Sequence, residues 1–221
     1  KTDVSETTVF KFCKEIGYSG YRELKISLAR GKNNDQDQYE NIYGEIGPEE
    51  SLNMITRKLF QKYNQSLEDT KKLLLDSKIE KCIELFLNAN RIYFFGFGAS
   101  GIVALDSELK FKRLNYNVEA LIDNHGQKTA ASLLDSKDLV IAISDSGRTK
   151  ELIESIEISK KAGAKIITIT SNLGSPITKL SDIVIGTASS ETPFRGSAIA
   201  SRMTHLAVID VLFLGVASSN Y

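Results

Sequence analysis

Tryptophan is absent, and cysteine, histidine, methionine and proline number only two, two, two and three in 221 residues. Cys13 and Cys82 lie far apart on helical patterns, so a disulfide framework or a cysteine-rich metal site is not supported. They read as ordinary buried thiols. Net charge is missing too, because 28 basic side chains balance 28 acidic ones, and overall charge argues neither for nucleic acid nor against it. No apolar run approaches membrane-spanning length and no signal peptide is visible. A protein of the reducing cytoplasm with no membrane partner is expected. What is present is ordinary for a globular chain, with 42% hydrophobic and 25% charged residues, enough for one full core and a smaller appendage. The chain opens at Lys1, not Met, which reads as processing or a fragment.

Residues 1–30 carry two helical patterns. Ser5 is placed to cap the first, which holds Val9, Phe10, Phe12, Cys13 and Ile16 and stops at Gly17. Tyr21, Leu24, Ile26 and Leu28 mark the second, to about Arg30. A pair this short cannot bury its apolar face alone. Residues 31–48 are polar and glycine-rich and read as a linker. A long helix is expected to start at Pro48, followed by a shorter one capped by Ser77. From Arg91, short apolar runs at 92–95, 118–122, 139–143, 166–170 and 183–185 alternate with amphipathic helices. That alternation predicts an α/β domain with a parallel sheet covered on both faces, ligands gathering at the carboxyl ends of its strands. Residues 187–191 read as loop, and a last helix runs from about Ser197 to Ala217.

The most informative stretch is Ser144-Asp145-Ser146-Gly147-Arg148-Thr149, between the apolar run ending at Ile143 and a helical pattern. A helix start offers unpaired N–H groups and the positive end of the dipole. Ser144, Ser146 and Thr149 add hydroxyl donors, and Gly147 permits close backbone approach. The loop reads as a phosphate cradle; the alternative is that Ser146 or Thr149 merely caps the helix. A second loop, Gly96-Phe97-Gly98-Ala99-Ser100-Gly101, follows the first strand. Its G-x-G-x-x-G spacing, with Glu119 18 residues beyond Gly101, fits a dinucleotide fingerprint; glycines serving only a tight strand-to-helix turn are the structural alternative. Ser100 and the second hydroxyl loop favour one small phosphorylated ligand held from two sides.

Residues from about 88 to 218 resemble the sugar isomerase (SIS) domain in Gly96–Gly101, in Ser144-x-Ser146-Gly147-x-Thr149, and in Ser171-Asn172 with Ser175-Pro176. Residues 1–30 resemble the end of the helix-turn-helix domain of RpiR-type bacterial transcription regulators, in Val4–Val9, Phe12-Cys13 and Gly17–Gly20. The resemblance implies a partial helix-turn-helix segment over 1–30, a linker over 31–48, and an SIS-type three-layer sandwich with a five-stranded parallel sheet over 49–221. By it, 5–16 is the recognition helix, with Glu6, Thr7, Lys11 and Lys14 facing DNA; as bare charges these would read as a solvated face. The family's first helices would precede Lys1, so this chain alone is expected to bind operator DNA poorly.

SIS domains also serve isomerases and a lyase. Proton transfer at a sugar carbon needs a carboxylate, His or Lys, and Glu108, His125, Glu191 and His205 are the candidates. Glu108 and His205 lie within helices and read as structural. The aminosugar isomerase branch carries a catalytic Glu on the helix after the first loop, where this chain has Arg113. The expectation is a non-enzymatic regulator, active as a homodimer or higher oligomer on operator DNA, without cofactor or metal. Its effector is a sugar phosphate, an amino sugar 6-phosphate being the first choice. Gly98, Ser100, Ser144, Ser146, Gly147 and Thr149 would hold the phosphate, and His125 and Glu191 the sugar. The long helix and the last helix are the expected dimer surfaces. A sugar-phosphate isomerase or lyase is the alternative.

Overall fold

The computed structural model describes residues 6–24, 49–189 and 198–219. The chain divides into two compact units, Lys1–Glu40 and Asn41–Tyr221. In the first, α1 (Glu6–Glu15) stops where Gly17 turns left-handed, at φ 90°. The Tyr18 N–H reaches Cys13 O at 2.8 Å and the Gly17 N–H reaches Lys14 O at 3.1 Å, the two bonds of a Schellman stop. Residues 21–24 are again helical. Ser19 donates from its N–H and its hydroxyl to the Glu23 carboxylate, and these bonds hold the Glu23 carboxyl below its ordinary range. The remainder of the expected second helix and the linker lie outside the described residues.

The second unit opens with α2 (Leu52–Leu73) and α3 (Asp76–Asn88). Both starts differ from expectation. Ser51, extended at φ −66° and ψ 150°, accepts the Met54 N–H at 3.3 Å and caps α2, so the helix begins after a serine hydroxyl instead of at Pro48. Ser77 lies inside α3, and the residue at its cap position, Leu75, has no side-chain acceptor. Then follow β1 (Arg91–Phe95), α4 (Gly98–Lys112), β2 (Val118–Leu121), α5 (Asn124–Ser132), β3 (Asp138–Ile143), α6 (Lys150–Lys161), β4 (Lys165–Thr170), a 3-10 turn at Pro176–Lys179, β5 (Ile183–Gly186) and α7 (Ile199–Ser219). All strands are parallel, in the order β2-β1-β3-β4-β5. The five apolar runs are the five strands.

Every residue of the central strand β3 is buried, as a strand covered on both faces requires. Successive side chains alternate. Leu139, Ile141 and Ile143 join Phe86, Phe111 and Leu212, from α3, α4 and α7. Val140 and Ala142 join Ala131, Leu152 and Ile156, from α5 and α6. The result is three layers. Phe111 organises the first face, stacking on Phe86 at 4.6 Å between centroids and meeting Phe213 edge-on at 5.7 Å. At the amino edge, Arg91 Nε donates to Asp138 Oδ1 at 2.9 Å and a second bond completes the fork, pinning the register of Arg91 against Asp138.

One expectation is corrected by α7. Its 21 residues include an 18-residue window of mean hydropathy 1.6, which meets the length and composition of a membrane span. Val208, Ile209, Leu212 and Val216 on it are buried against the sheet, and this packing accounts for the apolarity. Cys13 and Cys82 are both free and buried. Burial pushes the Cys82 thiol up to about 12, so almost none of it is thiolate near neutrality. Cys82 is therefore expected to resist a thiol-specific reagent at pH 8 until the protein unfolds; stoichiometric labelling of native Cys82 within minutes would contradict the packing of α3.

Candidate anion-binding site

The strand order decides where a ligand can sit. From β1 the chain moves outward to β2, then returns to the other side of β1 to form β3. The helices that follow β1 and β3 therefore cover opposite faces, α4 one and α6 the other. A crevice opens between the carboxyl ends of these two adjacent strands, the usual ligand position in doubly wound sheets. The loops Gly96–Gly101 and Ser144–Thr149 both lie at that edge, one after β1 and one after β3.

In the first loop the helix start presses onto the end of its strand. A Cβ on Gly96 would lie 2.6 Å from Ser100 O, so only glycine fits. Gly98 is left-handed at φ 55°. Phe97 occupies the cap position of α4 with no side-chain cap bond. The Ser100 and Gly101 N–H groups turn back to Phe97 O at 3.1 and 3.3 Å, while those of Gly98 and Ala99 have no acceptor within the helix. Gly98 is exposed and Ser100 half-buried.

The second loop is held by hydrogen bonds of its own. The Gly147 N–H donates to Ser144 Oγ at 3.1 Å, and the Arg148 N–H to Ser146 Oγ at 3.3 Å. Each hydroxyl thus uses a lone pair inside the loop and keeps its O–H to donate outward. Ser144 is buried and Ser146 exposed. Gly147 is left-handed at φ 61°, and a Cβ there would fall 2.1 Å from Ser175 Oγ. The cap position of α6 belongs to Thr149, whose side chain makes no cap bond. Neither Ser146 nor Thr149 makes a side-chain cap bond to the helix.

Neighbouring elements tie the two loops down, through Ser171, which the sequence motif included, and through Thr170, Ser189 and Gln127, which it did not. Asp145 O accepts from Thr170 Oγ1 at 3.0 Å, Ser171 Oγ at 2.9 Å and the Ser171 N–H at 3.2 Å. The Asp145 carboxylate accepts from Ser189 Oγ at 2.9 Å and lies 4.0 Å from His205 Nε2. Buried Gln127 donates from Nε2 to Leu121 O at 2.8 Å and to Gly96 O at 3.3 Å, tying the ends of β1 and β2 together. Nothing local in sequence marks Gln127; its role depends on which carbonyls the sheet brings beside it.

The other candidates are scattered. His125 is exposed in the first turn of α5, not in a strand-end loop, with Asp123 as cap. Glu108 accepts the Ala120 N–H at 3.2 Å and pairs with Lys112, both structural ties. Arg113 is exposed at the end of α4. His205 is buried on α7 against the Asp145 loop. Glu191 lies outside the described residues. On α1, Thr7, Lys11 and Lys14 are exposed and the side chain of Glu6 is not described; Lys14 Nζ lies 5.4 Å from the Phe10 ring centroid. Among the described residues no cluster of His, Cys, Asp and Glu has the makings of a metal site.

Fold and loops together define a doubly wound α/β binding domain behind a small helical segment. The chain matches the family model of the SIS domain over residues 85–215 and that of the rpiR-family helix-turn-helix domain over residues 1–35. It is 39% identical over 219 residues to an HTH-type transcriptional regulator of Caldanaerobacter subterraneus subsp. tengcongensis, covering 99% of this chain and 77% of that protein. With the HTH-type transcriptional regulator HexR of Pseudomonas aeruginosa it shares 38% over 214 residues, 96% of this chain and 73% of that one. The solved structure of Vibrio vulnificus NanR complexed with ManNAc-6P superposes with a TM-score of 0.74 at 28% identity, over 98% of this chain and 76% of that one. This chain belongs to the RpiR family of helix-turn-helix transcriptional regulators that carry an SIS domain.

Two substitutions separate the roles inside the cradle. Gly147→Ala must place a side chain in the left-handed region, at about 1–2 kcal/mol, and displace Ser175, so its melting temperature should fall by several degrees. Ser146→Ala removes no helix cap and should change stability by less than about 0.5 kcal/mol. Chemical denaturation of both variants reads the difference; equal losses would contradict the loop geometry.

Proposed function

We propose that the protein is a transcription regulator whose SIS domain senses a phosphorylated sugar at the crevice between β1 and β3. The observation that carries this reading is the pair of loops at one sheet edge. Each leads into a helix whose first N–H groups no side chain caps, and each offers hydroxyls. The phosphate would lie on the N–H groups of the first turns of α4 and α6 and accept from Ser100, Ser144, Ser146 and Thr149, with Gly98 and Gly147 allowing close approach. NanR, a relative by structure, is complexed with ManNAc-6P, which makes an amino sugar 6-phosphate the first effector to try. The exposed hydroxyl of Ser146 faces the ligand, and Asp145, fixed by Ser171 and Ser189, orients the cradle.

We assign the division of labour by the expected boundaries. Residues 1–30 serve DNA through Thr7, Lys11, Lys14 and Glu6, residues 31–48 link, and residues 49–221 sense. The relatives act in name as regulators, and we read this chain as a non-enzyme of the cytoplasm that works as a homodimer. Glu108, the carboxylate on α4 nearest in sequence to the isomerase pattern, is engaged by the Ala120 N–H and Lys112, and Arg113 is a cation. His125 and Glu191 remain the candidates for the sugar.

Calorimetric titration with ManNAc-6P, its unphosphorylated sugar and NAD tests the reading. Only the phosphate ester should bind. Ser146→Ala should weaken it by roughly ten- to hundredfold, since a hydrogen bond to a charged group contributes about 1.5–3 kcal/mol. Equal binding of sugar and ester, or tight NAD binding alone, would refute the proposal. NMR of the same mixtures should show no conversion; turnover on the order of 1 per second would make the protein an enzyme.

A further inference from the structure

Residues 187–189 follow β5 and bond to two distant parts of the domain. The Ala188 N–H donates to Thr70 Oγ1 on α2 at 2.9 Å, across 118 residues of sequence. Ser189 Oγ donates to Asp145 Oδ1 at 2.9 Å, across 44. The strap leaves the sheet where the Thr187 N–H donates to Thr170 O at 3.0 Å. Thr70 is buried near the end of α2. A Cβ on Gly186 would lie 3.7 Å from Leu73 Cδ1, so α2 packs against the strand end from which the strap departs.

The strap also reaches a carboxylate that an anion site must manage. Asp145 lies between Ser144 and Ser146, whose hydroxyls are assigned above to the phosphate. Like charges this close repel. The Asp145 carboxylate instead faces the Ser189 hydroxyl and, at 4.0 Å, His205 Nε2 on α7, and the hydroxyl stabilises its charge there. The strap is not held by its first residue's side chain. Thr187 Oγ1 is buried and has no hydrogen-bond partner among the described residues, which counts against this arrangement. The bonds of Ala188 and Ser189 are what keep it closed.

We propose that residues 187–189 form a latch that couples occupancy of the anion site to α2, with Ser189 and Thr70 as positioning residues. This rests on the sugar-phosphate reading above. With the latch closed, Ser189 holds the Asp145 carboxylate toward α7, and a phosphate on Ser144 and Ser146 meets less repulsion. With the latch open, the carboxylate loses that donor and opposes the phosphate. The effector therefore binds the closed latch better, and by linkage its binding closes the latch. Closing engages Thr70 through the Ala188 N–H. Helix α2 follows residues 31–48, so the latch ends on the first long helix after the DNA-binding segment in sequence. Neither Ser189 nor Thr70 belongs to either hydroxyl loop.

Calorimetric titration with ManNAc-6P, beside a melting curve for each variant, tests the latch. Ser189→Ala should weaken binding by about three- to tenfold. Asp145→Asn removes the charge and keeps an oxygen for Ser189, and it should bind at least as tightly as the parent. In that background Ser189→Ala should change affinity by less than about twofold; equal effects in both backgrounds would overturn the electrostatic coupling. Thr70→Val keeps the side-chain shape, removes the acceptor and should weaken binding by about threefold or more, while Thr70→Ser should restore the parental affinity. A lowered melting temperature for Thr70→Val with unchanged affinity would leave Thr70 a structural residue and overturn the link to α2. Amide hydrogen exchange gives a second readout: ManNAc-6P should slow exchange at Ala188 in the parent and not in Ser189→Ala, and no slowing in the parent would sink the latch. If the parent binds neither ManNAc-6P nor inorganic phosphate, the sugar-phosphate reading falls and takes the latch with it. If the parent binds but the two Ser189→Ala effects are equal, the latch alone falls.

Discussion

Two helices begin beside each other on one sheet edge with no side chain to cap them. This constraint shapes the rest of the domain. Four N–H groups at a helix start must find acceptors, and at α4 and α6 the chain supplies few: neither Phe97 nor Thr149 makes a side-chain cap bond. The strand order then brings the two starts to either side of one crevice. Such a pair of starts is stabilised by an anion laid across both. The surrounding loops are rigid where this requires it. Asp145 O takes three hydrogen bonds from the end of β4, and Gln127 fastens the end of β1. A cradle fixed before the ligand arrives loses little entropy on binding.

Much of this architecture could be read in the sequence, for local reasons. Strands buried on both faces must be short continuous apolar runs, and all five stood out. Gly17 announced the stop of α1, since a left-handed residue there favours glycine. The hydroxyl loop after Ile143 declared itself by composition. Helix starts were less legible, because a nearby Ser or Pro competes with the cap that tertiary context selects; Ser51 displaced Pro48, and Ser77 fell inside its helix. The apolarity of α7 is continuous only if its polar residues, buried Ser201, Thr204 and His205, are read as part of a core. Least visible were Gln127 and the carbonyl of Asp145, whose work depends on groups 31 and 26 residues away in sequence.

Helix α4 starts at the β1/β3 edge and leaves Ile102, Leu105 and Leu109 exposed on its outer face. Its inner face is locked by Phe111 against Phe86 and Phe213, so the helix moves as a body or not at all.

The most direct test of the central claim is an amide NMR titration of the protein with ManNAc-6P. The account predicts that the N–H resonances of Gly98, Ala99, Gly147 and Arg148 shift together with one dissociation constant, while those at the amino ends of the strands, near Arg91 and Asp138, stay in place. Shifts confined to one loop, or centred anywhere but the β1/β3 crevice, would contradict it.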